Sequence, residues 1–183
     1  MSHADTHNIL YSLQRGFRTG RSCETQLLEF IEDVTPNMEN GKQTDILVMD
    51  FSKAFDKVSH SLLLHKLHYY GIQGELNSWI QNFLSNRKQA VVLEGDKSDY
   101  RYVAVESGVP HGSVLEPSLF LYYINDIPAG LQSTIRLFAD DTIAYLAIKS
   151  NRDALTLQQD LDKLSYWETN WKMEFHPDKG PTI

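Results

Sequence analysis

The stretch "RLFADDTIAYLAI", residues 136–148, sets two aspartates between two apolar runs of strand length. Two such runs separated by a few turn-forming residues read as a β-hairpin, with Ala139, Asp140 and Asp141 at its tip. Adjacent carboxylates at one tip repel each other unless a cation, the turn or solvent relieves them. A fold built on this hairpin must bury the flanking strands and still keep the tip polar.

Other segments supply what could pack around it. After the loop "RTGRS", Leu27, Ile31 and Val34 recur at helical spacing, with Ser22 as N-cap and Gly41 near the exit. "TDILVMDF" is an almost unbroken apolar run, suited to a strand buried on both faces and ended by Asp50. A helix is predicted over 61–70, closed by Gly71, followed by one whose Leu76, Trp79, Ile80, Phe83 and Leu84 form a core-facing stripe. "QAVVLEGDKSDYRYVAVES" predicts two strands joined by a turn at 95–98. Pro117 fits the first turn of a helix through "SLFLYYIND", and Pro128 marks its exit. Over 154–171, Leu157, Leu161, Leu164, Trp167 and Trp171 keep helical spacing, which places the Trp residues in the core. The order predicts an α+β domain with helices on one face of a mainly antiparallel sheet, the other face being open.

Composition narrows the function classes. A chain of 183 residues with 42% hydrophobic content can hold one core, and no internal repeat, low-complexity tract or long linker divides it. Its apolar runs fall short of the roughly 20 residues that cross a bilayer, and "MSHADTHNIL" lacks a signal-peptide pattern, so an intracellular chain without membrane contact is expected. A net charge of −7 argues against broad nonspecific nucleic-acid binding, which rests on basic surface. Local basic paths remain, at Arg15, Arg18 and Arg21 and at Arg87 and Lys88. Cys23, the single cysteine, forms no internal disulfide and is expected as a buried structural thiol.

If the strand ended by Asp50 neighbours the hairpin, three carboxylates meet. Convergent carboxylates suit Mg²⁺, which binds through one or two of them plus substrate phosphates, and paired ions of this kind serve phosphoryl transfer. Each feature alone has a structural explanation: Asp-Asp is common turn chemistry, and an Asp after a strand often caps the next helix.

Several segments, in order, carry a resemblance: "QRGFRTGRSCETQLLEF", "DFSKAFDKVSHSLLLHKLHYYGI", "WIQNFLSNRKQAVVLEG", "SGVPHGSVLEPSLFLYYINDIP" and "LFADDTIAY", with "FHPDKG" similar to a following motif. The sequence resembles the reverse transcriptase domain of non-LTR retrotransposons of the long interspersed element type. That resemblance implies a right-hand polymerase palm plus part of the fingers: one partial domain over 1–183, with about 1–45 fingers-like and about 46–183 mainly palm. It implies RNA-directed DNA polymerase activity, in which a primer 3′-hydroxyl attacks the α-phosphate of a deoxynucleoside triphosphate. The implied partners are an RNA template, a DNA primer and deoxynucleoside triphosphates. The implied cofactor is Mg²⁺, as two ions, with Mn²⁺ able to substitute. Asp50, Asp140 and Asp141 match the catalytic carboxylates and metal ligands, and the Phe51 backbone carbonyl helps to hold a metal. Phe55 matches the aromatic that blocks a ribose 2′-hydroxyl. Arg18 and Arg21 match the fingers segment that reaches triphosphate or template, and His111 and Gly112 fall in the nucleotide pocket.

Two residues depart from the family pattern, which has Gln at position 111 and Gly at 116. His111 changes the donor and acceptor geometry and can become charged. Glu116 adds a negative charge and gives up glycine's access to positive φ, which predicts a distorted motif or a repelled template. The family would continue into a primer grip and thumb, and an endonuclease domain is not expected in this chain, so weak hold on a duplex follows from the resemblance. The alternative reading is a catalytically silent palm fragment acting as an RNA-binding or protein-interaction module; another palm-like nucleotidyl transferase fits the carboxylates but not the full set of segments.

Overall fold

The computed structural model describes residues 3–90 and 102–176. In chain order the elements are α1 (His3–Thr6), α2 (Cys23–Glu39), β1 (Gln43–Met49), α3 (His60–Tyr69), α4 (Gly74–Leu84), β2 (Lys88–Gln89), β3 (Val103–Ala104), α5 (Glu116–Ile124), β4 (Thr134–Phe138), β5 (Asp141–Ile148) and α6 (Asn151–Trp171). They fall into two compact units, one made of Met1–Ala54 with Ile124–Ile183, the other of Phe55–Tyr123.

The first unit is organised by a three-stranded antiparallel sheet in the order β1-β5-β4. The predicted hairpin is its centre and one edge. Strand alternation assigns the faces. Met49 and Leu47 of β1 pair with Thr142 and Ala144 of β5, which pair in turn with Leu137 and Ile135 of β4. All six are buried. Helix α6 supplies Leu157, Leu164 and Trp167 to the core, and Trp167 packs on Phe51, which shares this face of the sheet. Asp160, itself buried, accepts hydrogen bonds from the Gln132 and Ser133 amides at 2.8 and 2.7 Å and so pins α6 to the start of β4. A capping box at Ser150 and Asp153 starts the helix, and Lys172 in the left-handed conformation ends it.

The opposite face is partly covered by α2, so the open face is smaller than the sequence predicts. Phe30 meets Tyr145 edge-on at 5.2 Å. Arg136 bonds Glu29 and Asp33 at 2.6 Å each and the Tyr145 hydroxyl at 2.8 Å. The expected N-cap is present: Ser22 and Thr25 form a reciprocal capping box. The expected apolar stripe is not. Val34 is buried, whereas Leu27 and Ile31 are exposed, because α2 turns its carboxylates toward Arg136 and Arg15. Cys23, expected to be buried, is exposed in the first turn of that helix. Nor is β1 buried on both faces: Val48 is 52% exposed, since β1 lies at the end of the strand order and α2 does not cover it there.

In the second unit, α3 buries Leu63 and Leu67, and α4 buries Ile80 and Leu84. The core-facing stripe of α4 is narrower than predicted, with Leu76 and Trp79 exposed and Trp79 stacked on Phe83 at 5.6 Å. Asn77 ties the two helices by donating to the Leu64 and Ile72 carbonyls at 3.2 and 2.9 Å. Gly71 after α3 has φ 85, as a helix-closing glycine requires. Strands β2 and β3 pair antiparallel through Lys88↔Ala104 and Gln89↔Val103, and the turn predicted at 95–98 lies outside the described residues. Buried Lys66 donates to the Tyr123 carbonyl with its ammonium 5.1 Å from the Tyr123 ring centre, which supplies the partners that a buried cation needs.

Candidate catalytic site

The β1–β5 register ends at Met49↔Thr142. One step further along both strands stand Asp50 and Asp141, on the face opposite the buried Met49 and Thr142. Residues directly opposite in an antiparallel pair have Cα atoms about 4.5–5.5 Å apart, so the last pair, Met49↔Thr142, places the backbones of Asp50 and Asp141 at the same end of the sheet. Asp50 is half-buried and Asp141 exposed.

Backbone bonds on the other side of Asp50 fix its approach. Phe51 bridges Phe175 antiparallel, the His176 amide donates to the Asp50 carbonyl at 2.8 Å, and the Ser52 amide donates to the Glu174 carbonyl at 2.8 Å. No described peptide bond is cis, so the Phe51 carbonyl points opposite to the Ser52 N–H. It therefore faces away from 174–176, toward the side on which β5 lies. The Phe51 ring is stacked on Phe175 at 4.4 Å.

Asp140 occupies the two-residue turn between Phe138 and Asp141, whose register pair closes the hairpin. Ala139 has φ 54 and Asp140 is not among the residues of positive φ, the pattern of a type II′ turn that prefers glycine at its first central position. Gln14, missed by sequence reasoning, grips this turn. Its Oε1 accepts from the Ala139 and Gly16 amides at 3.0 and 2.8 Å, and its Nε2 donates to the Ala139 carbonyl at 3.4 Å. A Cβ on Gly16 would lie 2.2 Å from the Ala139 nitrogen, so position 16 admits only glycine without movement of the turn. The one hint in the sequence is the glycine itself, in a segment whose spacing otherwise suggests a loop.

The groups at this end of the sheet that could serve a cation are all oxygen: the Asp50 and Asp141 carboxylates, the Phe51 carbonyl, and Asp140 in the adjoining turn. Among the described residues no group of three or more His, Cys, Asp or Glu side chains could by itself hold a metal ion. The structure thus sets Asp50 and Asp141 one step past the last β1–β5 pair and Asp140 beside Asp141 in the turn, and the described residues form no closed protein cage. A partial oxygen shell of this kind suits Mg²⁺, which keeps several waters and takes one or two carboxylates plus substrate phosphates.

The other expected residues are placed as follows. Arg21 donates from Nη1 to the Ser12 and Gln14 carbonyls at 2.5 and 2.7 Å, which gives it a loop-closing role. Arg18 lies half-buried in the same loop. In the second unit, Phe55 packs on Phe120 at 4.3 Å and lies 6.1 Å from His111. His111 bonds Asp56 at 3.0 Å and Glu116 at 2.6 Å, and Glu116 also accepts from the Gly112 amide at 2.6 Å. The two departures from the family pattern are therefore partners of each other. Glu116 heads α5 and is not among the residues of positive φ, so the expected backbone distortion is not found. The bond to Asp56 holds His111 above its ordinary value of 6.5, burial opposing and Glu116 reinforcing.

Over residues 2–182 the chain matches the family described as reverse transcriptase (RNA-dependent DNA polymerase). It belongs to the reverse transcriptase family. This reverse transcriptase chain is 30% identical over 98% of its length to the RNA-directed DNA polymerase from the mobile element jockey of Drosophila melanogaster, covering 20% of that protein. It is 29% identical over its whole length to a probable RNA-directed DNA polymerase from the transposon X-element of the same species, again covering 20%. A retrovirus-related Pol polyprotein from the type-1 retrotransposable element R2 of Popillia japonica is 30% identical over 85% of the chain, which covers 22% of it. The chain thus spans about a fifth of the length of these relatives and is of the non-LTR retrotransposon type. Among solved structures, apo telomerase from Candida tropicalis aligns over 87% of the chain and 34% of its own, at TM-score 0.59 and 13% identity. Telomerase from Candida albicans, in complex with a fragment of telomeric RNA, aligns over 99% and 34%, at TM-score 0.60 and 12% identity. These likenesses bear on the fold, an α+β reverse transcriptase palm with part of the fingers. Among the described residues no helix is long and apolar enough to cross a membrane.

Proposed function

We propose that the chain carries the catalytic centre of an RNA-directed DNA polymerase, with Asp50, Asp140 and Asp141 as its catalytic carboxylates. The observation that supports this most is the β1–β5 register, whose last pair, Met49↔Thr142, leaves Asp50 and Asp141 as the next residue on each strand's path in a chain of the reverse transcriptase family. In this reading residues 1–45 are fingers-like and 46–183 mainly palm. Asp50, Asp140, Asp141 and the Phe51 carbonyl hold divalent cations, two Mg²⁺ ions in the working enzyme. Such ions supply charge neutralisation of the triphosphate and a more acidic primer 3′-hydroxyl. The chain's own contribution is position: strands β1 and β5 fix the carboxylates before substrate arrives, so no reorganisation is needed as charge develops. The bond made joins the primer 3′-oxygen to the α-phosphorus of a deoxynucleotide, and pyrophosphate leaves. RNA template and DNA primer are the macromolecular partners. Phe55, His111 and Gly112 carry over as nucleotide contacts, and Arg18 and Arg21 as contacts to triphosphate or template.

Net charge and Arg21 favour a second reading. A chain of net charge −7 whose Arg21 bonds its own loop carbonyls suits a catalytically silent RNA-binding or interaction module. Extension of a DNA primer on an RNA template with Mg²⁺ or Mn²⁺ separates the two. The polymerase reading predicts extension by the full chain and its loss in Asp140→Asn. A folded chain without extension at any protein concentration favours the silent module.

A further inference from the structure

Ala139 is a residue out of place. Its φ of 54 belongs to the left-handed region, and the turn type it occupies favours glycine. Left-handed backbone costs a non-glycine residue free energy and persists where surrounding structure over-determines it. Ala139 is also buried, at 6% exposure, and its N–H and C=O lie beyond the last strand pair, Phe138↔Asp141. Buried peptide groups need partners. The Gln14 amide supplies both, its oxygen to the N–H and its nitrogen to the carbonyl. The same oxygen holds the Gly16 amide, and a Cβ at position 16 would strike the turn, 2.2 Å from the Ala139 nitrogen.

Sheet closure does not need this side chain. The backbone of Leu13 and Arg15 already bonds Leu137, at 3.1 and 2.8 Å, and aligns the segment parallel to β4. The amide grip is additional and falls on the residue before Asp140. Gln14 is 2% exposed, so its polar atoms would be costly there without that use.

Resting on the polymerase reading above, we propose that Gln14 is a positioning residue of the catalytic centre: its side-chain amide holds Ala139 in the left-handed turn from which Asp140 and Asp141 present their carboxylates to a divalent cation. Gln14 touches neither cation nor nucleotide and acts through the Ala139 backbone alone.

Mn²⁺ binding to the full chain, followed by electron paramagnetic resonance without nucleic acid, tests this. Gln14→Met keeps the volume and removes the grip; it is expected to weaken Mn²⁺ binding about tenfold with an unchanged far-UV spectrum. Adding Ala139→Gly, which removes the cost of the left-handed turn, is expected to restore affinity to within about twofold, a recovery that a general loss of packing would not show. In primer extension, Gln14→Met raises the Mg²⁺ concentration needed for half-maximal rate and leaves KM for the deoxynucleotide unchanged. Should Gln14→Met not fold, Gln14→Glu reports instead: it keeps the acceptor, loses the donor, and is expected to bind about threefold more weakly. Wild-type affinity in these variants overturns the inference, as does a Gln14→Met loss that Ala139→Gly leaves unrepaired. Absence of Mn²⁺ binding by the unsubstituted chain, or binding untouched by Asp140→Asn, overturns the polymerase reading and this inference with it.

Discussion

Arg136 is the most demanding side chain in the sheet. It is 5% exposed, between Ile135 and Leu137 of β4, and its guanidinium bonds Glu29, Asp33 and Tyr145. Replacing it with Met keeps much of the stem's packing and removes three charge-assisted or polar bonds. Removing one partner from a buried ion pair costs about 3–5 kcal/mol, chiefly because the other charge is stranded. Here the stranded carboxylates, at 33% and 42% side-chain exposure, can rehydrate in part, which places Arg136→Met near the lower end, at about 3 kcal/mol. For a chain of this size that is a fall in Tm of about 6–12 °C. Urea unfolding followed by circular dichroism measures it directly, and a cycle with Asp33→Asn should show coupling above about 1 kcal/mol. A loss below about 1 kcal/mol, or additive single effects, would refute the view that α2 is docked through this guanidinium.

Further expectations concern acid stability, His111 and Phe55. The Arg15 hydrogen bond holds Glu29 below its ordinary 4.5; burial pushes Asp33 up, but the Arg136 and Tyr145 bonds outweigh it and hold it below 3.8. Depressed carboxylates stabilise the fold above their unfolded values, so the urea midpoint should fall as pH drops from 4.5 through the folded values, and less steeply in Asp33→Asn. His111 runs the other way: its raised value means stability present below pH 6.5 and lost as pH rises through the folded value, and its proton resonance should titrate above 6.5 and move down in Glu116→Gly. A midpoint at or below 6.5 would deny the Asp56 and Glu116 pairings. Phe55→Val should raise ribonucleotide use relative to deoxynucleotide by about tenfold or more in single-nucleotide competition, and an unchanged ratio would leave Phe55 with a packing role, against Phe120 among others.

Much of the fold is visible in local pattern. The hairpin around Ala139 and Asp140, the cap at Ser22, the stop at Gly71 and the stripe of α6 each depend on residues near in sequence, where period and turn chemistry decide. What α2 buries is not local. Its periodicity offers Leu27 and Ile31 as an inward stripe, yet the partner on the sheet is Arg136, and that charge draws Glu29 and Asp33 inward instead. Trp79 fails for a related reason: helical spacing names a stripe without saying how much of it a neighbour covers. That Asp50 and Asp141 leave β1 and β5 at the same end of the sheet depends on strand order and register, which spacing alone left open. Gln14 and Ala139, separated by 125 residues, were beyond any pattern argument.

On the polymerase reading, Asp50 and the Asp140–Asp141 turn form one working catalytic centre. Single-nucleotide extension of a DNA primer annealed to RNA, with the full chain and Mg²⁺, compares wild type with Asp50→Asn most directly. Template-directed addition is expected from the wild type, with a rate at least about a hundredfold lower in the variant, the scale of losing charge stabilisation in a preorganised site. Addition at an unchanged rate in Asp50→Asn would contradict that reading.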